Sequence, residues 1–65
     1  MNWDQVAGNW KQMKGRAKQQ WAKLTDDDLT FIDGKCDQLL GRIQERYGIG
    51  REVAESQIRE WERAL

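Results

Sequence analysis

One stretch of this chain, residues 8–21 (GNWKQMKGRAKQQW), returns 26 residues later as residues 34–47 (GKCDQLLGRIQERY). Gly8, Gln12, Gly15 and Arg16 recur as Gly34, Gln38, Gly41 and Arg42. The apolar positions Trp10, Met13, Ala17 and Trp21 recur as Cys36, Leu39, Ile43 and Tyr47. Steps of three and four residues place such a set along one side of a helix. A helical unit this small cannot bury its stripe alone, so the two copies must pack together. No segment alternates with period two and the chain has no proline, so no sheet is expected.

The stripes and stop signals predict four helices. Trp3, Val6, Trp10, Met13, Ala17 and Trp21 define one long first helix, with Asn2 as its cap and the stripe reaching Leu24. Thr25 with Asp28 three residues later resembles a capping box, and three aspartates in a first turn meet the positive end of the helix dipole. A second helix therefore starts near Asp26. Phe31 or Ile32, Cys36, Leu39, Ile43 and Tyr47 continue the inward pattern, broadened by Leu40. Gly34 is read as the break before a third helix, with a continuous bent helix as the alternative. Gly48 supplies the left-handed residue of a helix end. The last helix runs from about Arg51, with Val53, Ala54, Ile58, Trp61 and Leu65 inward and Glu55–Arg59 paired one turn apart. The expected architecture is all-α: a small four-helix bundle of two helical hairpins with an internal 26-residue pseudo-repeat, forming one domain over residues 1–65.

Several function classes are disfavoured. At 65 residues a chain buries only about 60% of its unfolded surface and has little room for a substrate pocket. It has no histidine, the commonest general base, and one cysteine, so neither a zinc site nor an internal disulfide is expected. Cys36 on an apolar stripe reads as a buried small hydrophobe. The triplet Asp26, Asp27, Asp28 reads as a helix start, because adjacent residues point apart around a helix. The expectation is a non-enzyme with no cofactor, no metal and no small-molecule substrate. No run approaches the about 20 apolar residues of a membrane span, and the start MNWDQVAGNW lacks the pattern of a signal peptide. A cytoplasmic location is expected.

Charge is balanced in total and uneven in place. Residues 1–24 carry Lys11, Lys14, Arg16, Lys18 and Lys23 against Asp4, a net of +4. Residues 25–37 carry five aspartates against Lys35, a net of −4. Either the two segments neutralise each other, or the five cations form a surface for nucleic acid or another acidic partner. Of the four tryptophans, Trp10, Trp21 and Trp61 fall on inward stripes and Trp3 lies near a chain end. Gly8 and Gly15 project roughly opposite Trp10, and Gly34 and Gly41 stand in the same relation to Cys36. Each helical glycine costs about 1 kcal/mol against alanine. Close approach by another backbone, deliberate looseness, or plain tolerance would each account for them. The glycine face is thus the candidate binding surface, together with the five cations of residues 1–24.

Ordered pieces of the chain carry a family likeness: Asn9-Trp10-Lys11-Gln12 with Lys14-Gly15, Trp21 with Lys23-Leu24-Thr25-Asp26-Asp27-Asp28, then Gly34-Lys35, Asp37-Gln38-Leu39, Gly41 and Gln44-Glu45-Arg46-Tyr47-Gly48. With these the chain resembles the CsbD-like family of small bacterial stress-response proteins over nearly its whole length. Cys36 and the short C-terminal end are not signatures of that family. The resemblance implies a small helical bundle, a cytoplasmic location and induction under general stress, osmotic stress included. It implies no catalytic residues. The function expected is thus a non-enzymatic stress-response protein that binds or protects other molecules, with an unknown partner. The alternative is a nucleic-acid-associated module using the basic first helix.

Overall fold

The chain enters its first helix through a reciprocal cap. The Asn2 side chain accepts from the Gln5 backbone N–H at 2.9 Å, and the Gln5 side chain accepts from the Asn2 N–H at 3.2 Å. From there five helices follow in a computed structural model that describes residues 2–65. They are α1 (Trp3–Gly8), α2 (Trp10–Gln20), α3 (Asp26–Ile32), α4 (Cys36–Tyr47) and α5 (Arg51–Ala64). There is no strand among the described residues.

Five helices stand where four are expected, because the first is divided at Asn9. Asn9 has φ −113° and ψ 28°, outside the helical well. Its backbone N–H and its side-chain amide both donate to the Gln5 carbonyl, and its own carbonyl accepts from Gln12 and Met13. The residue closes one helix and opens the next. A short polar side chain that competes for backbone groups, placed after a glycine, is the local cause.

The remaining boundaries follow the sequence. Thr25 and Asp28 form a second reciprocal cap, with both bonds at 3.0 Å. Asp33 and Gly34 both take positive φ, 48° and 78°, and end α3. Gly48 ends α4 in the left-handed conformation at φ 63°. Both α1–α2 and α3–α4 thus run as a short helix followed by a longer one.

Fourteen apolar residues form one core, drawing on every helix. Ile32 rather than Phe31 turns inward: Ile32 is fully buried and Phe31 is 56% exposed, covered on one face by the Arg42 guanidinium at 4.5 Å. Val53, expected inward, is 51% exposed, and Ala54 beside it takes the core position. Trp10, Trp21 and Trp61 are buried as expected, and Trp3 is half-buried against them. The four rings run in file: Trp10 to Trp3 at 6.4 Å, Trp3 to Trp61 at 6.3 Å, Trp61 to Trp21 at 5.2 Å between centroids. Tilted contacts at this range add about 0.5–1.5 kcal/mol each beyond their area. Three indole N–H groups are spent on partners across the fold. Trp3 donates to the Gly34 carbonyl, Trp10 to the Leu29 carbonyl and Trp21 to the Gln57 side chain, at 2.8, 2.8 and 2.9 Å.

Candidate functional site

The repeated glycines separate into two kinds. Gly15 and Gly41 lie in mid-helix on α2 and α4, are exposed, and a Cβ added at either would meet nothing within 4 Å. Gly8, the last residue of α1, is also exposed and open. Gly34 is different: it is buried, has φ 78°, and an added Cβ would lie 3.1 Å from both the Cα and the carbonyl oxygen of Ala7. The expectation that Gly34 shares an outward face with the other three is therefore corrected. It is the point where α1 crosses the turn between α3 and α4, and close approach accounts for it alone. For Gly15 and Gly41 no neighbour among the described residues explains the absent side chain. Gly15→Ala combined with Gly41→Ala is expected to raise stability by about 1–2 kcal/mol, read by thermal melting, since only helix propensity changes.

The cations of the basic segment also divide. Lys18 binds Asp26 at 2.7 Å, which holds that carboxyl below its ordinary value through the hydrogen bond first and the Lys18 charge second. Lys23 sits over the Tyr47 ring at 5.1 Å, while its backbone N–H donates to the Tyr47 hydroxyl at 3.2 Å. Lys11, Lys14 and Arg16 make no ion pair among the described residues. The basic and acidic segments therefore share one exposed ion pair among the described residues, with the Lys14 charge also acting on Asp26.

The best-ordered electrostatic cluster is one the sequence reading treats only as a cap. Asp28 is 4% exposed, and its two carboxylate oxygens receive Nε and Nη2 of Arg46, each at 2.9 Å. Arg42 stands behind, with Nε 3.8 Å from Asp28. The Arg46 hydrogen bonds foremost, then those from Thr25 and the Arg46 charge, lower the Asp28 carboxyl to about 2 against the opposition of burial. Arg42 and Arg46 sit four apart on α4, so they share a face. That spacing is a visible signal, but nothing in the sequence says that α3 packs there.

A groove of about 390 Å³ runs between α4 and α5, floored by Leu40 and Ile58, with Cys36 and Asp37 at one side and Arg51, Glu55 and Arg59 along the other. Cys36 is exposed, not buried as its stripe suggests. It is the first residue of α4, where no preceding helical turn covers it. Partial burial and the carboxylates of Glu62, Asp37 and Glu55 push its thiol up, which disfavours the nucleophilic thiolate. No group of three or more metal-ligating side chains occurs among the described residues. No helix among them is long and apolar enough to cross a membrane.

Comparison with known proteins meets this geometry over most of its length. The chain is 68% identical over 62 residues to the UPF0337 protein ECA0631 of Pectobacterium atrosepticum, covering 95% of this chain and 90% of that one. It is 60% identical over 62 residues to the UPF0337 protein YjbJ of Escherichia coli, again covering 95% and 90%. To the UPF0337 protein PA4738 of Pseudomonas aeruginosa it is 48% identical over 61 residues, covering 94% of each. The CsbD-like family matches residues 4–56, from α1 into α5. By that match and by these relatives, the chain belongs to the CsbD-like family.

Proposed function

We propose that this chain is a small non-catalytic protein of the general bacterial stress response, acting in the cytoplasm by binding or protecting other molecules. The two short–long helical pairs are read as one duplicated unit, closed by α5 into a bundle. The observation that carries the reading is where the charged chemistry sits. Eleven basic side chains and every acidic one of the eleven except Asp28 lie outside the core of a strongly hydrophilic chain, with mean hydropathy −0.96. The one buried charged residue among the described residues, Asp28, is consumed by a helix cap and an arginine. Its carboxyl is low and doubly bound, and the Cys36 thiol is raised, so neither has the activated state that catalysis asks of such groups. A balanced, well-hydrated surface suits contact with many macromolecules without strong commitment to one.

Drying and rehydrating a labile enzyme with this protein, against an equal mass of an inert protein, tests the reading. Recovered activity is expected to exceed the control. Equal recovery defeats the protective function.

A further inference from the structure

The outward faces of α2 and α4 are the repeat's two copies of one design, with opposite charge. On α2 the face centres on Gly15, with Lys11 and Lys18 within about 60° to one side and Gln12 and Gln19 to the other. On α4 it centres on Gly41, with Asp37 and Gln44 on the flank that carries the lysines of α2 and Gln38 and Glu45 on the other. Lys11 and Asp37 are the same repeat position, 26 residues apart. Gly15, Gly41, Lys11, Lys18, Asp37 and Glu45 are all exposed. Their existing bonds are surface ones: Lys18 to Asp26, and Glu45 to Arg42 at 3.3 Å. Exposed pairs of that kind exchange partners at little cost.

We propose that the α2 face of one copy of this chain docks on the α4 face of a second copy. Like charge excludes α2 on α2 and α4 on α4, so the mixed pairing is the one electrostatics allows. With the two helices antiparallel, the Lys11 and Lys18 flank of α2 lies over the Asp37 flank of α4, and Glu45 lies over the glutamine flank of α2. Gly15 and Gly41, with open space above them, let the two helices approach closely, and the flanking glutamines hydrogen-bond across the seam. The pairing assigns a role to what the single chain leaves unexplained: two mid-helix glycines and the recurrence of Gln12 as Gln38. Zero net charge removes the long-range repulsion that would keep copies apart. Because the two faces differ, the contact is head-to-tail and propagates as an open file of molecules. The opposite net charge of the two faces, with Lys11 replaced by Asp37 at the same repeat position, is what commits the occupant to a second copy. A separate anionic partner would use the α2 face alone and leave the α4 copy without a role.

Sedimentation of the full chain at millimolar concentration tests this. In about 10 mM salt, where screening reaches about 30 Å, the weight-average mass is expected to rise to at least twice the monomer. In about 0.5 M salt it should return to the monomer. Lys11→Glu with Lys18→Glu makes both faces acidic, and Asp37→Lys with Glu45→Lys makes both basic. Each variant alone is expected to stay monomeric, and an equimolar mixture to associate again. Gly15→Gln with Gly41→Gln keeps the helices, as circular dichroism will verify, and is expected to abolish association. A wild-type chain that stays monomeric in low salt overturns the proposal, as does association that survives either charge reversal or the glycine substitutions. A monomeric chain whose α2 face instead binds single-stranded RNA in low salt overturns it too, and assigns that face to polyanions.

Discussion

Gly34→Ala is expected to lower the unfolding free energy by about 3 kcal/mol, measured by urea titration at constant slope. Two costs combine. A β-carbon in the left-handed region costs about 1–2 kcal/mol. Overpacking against a neighbour that must move costs about 1–3 kcal/mol more. Here the neighbour is backbone, because the added atom would sit 3.1 Å from the Ala7 Cα and carbonyl oxygen. Ala7→Gly should therefore fail to rescue the variant. The Trp3 indole donates to the carbonyl of residue 34 at 2.8 Å, so any shift of the turn also disturbs the ring file. Against a total of about 3–10 kcal/mol for a chain of this length, the loss takes from about a third to the whole of the stability. A variant as stable as the wild type would mean that α1 is not anchored at this turn.

Asp28→Asn is expected to cost about 2 kcal/mol and to lower the melting temperature by about 10 °C at neutral pH. The substitution removes the charge that two arginine N–H groups bind at 2.9 Å. It leaves Thr25 able to cap α3. The same pair makes stability depend on acid. The Asp28 carboxyl is lowered in the folded state from an ordinary 3.8 to about 2. A group whose folded value is depressed binds its proton more readily when the chain unfolds. Its contribution is therefore complete above pH 4 and is lost as pH falls through about 2, amounting to about 2 kcal/mol in all. The wild type should lose stability over that window, and Asp28→Asn should show a correspondingly shallower slope. Parallel acid profiles for the two proteins would remove the ion pair from the account.

Both effects sit at places where the sequence shows an ingredient and hides its partner. The Thr25–Asp28 cap, the Gly48 stop and the inward places of Trp10, Trp21 and Trp61 were legible, because each depends on residues within a turn or two of chain. The pairing of Asp28 with Arg46 spans 18 residues and depends on how α3 lies against α4. The 26-residue repeat misleads at its first positions. It equates Trp10, which is 6% exposed, with Cys36, which opens its helix and is exposed. It equates Gly8 with Gly34, although only Gly34 takes positive φ. Matching residues promise matching helices. They do not promise matching entries into those helices, because the entry is set by what crosses it. At Gly34 that is α1, and at Gly8 an added Cβ would meet nothing within 4 Å. Of the candidate surface, the exposure of Gly15, Gly41 and Lys11 was legible from the helical wheel. The spending of Lys18 on Asp26 and Lys23 on Tyr47 was not.

The file of four indoles sets the order in which a nascent chain can finish. Trp3 leaves the ribosome early and touches Trp61 only in the completed protein. Fifty-eight residues of sequence separate the two rings, so closure is a late, entropically costly step. Until α5 emerges, Trp3 and Trp21 lack the ring that joins them. A partly synthesised molecule therefore exposes aromatic surface that the finished one hides. The part of the near-ultraviolet signal that comes from Trp61 coupled to Trp3 and Trp21 should accordingly appear only with the last helix.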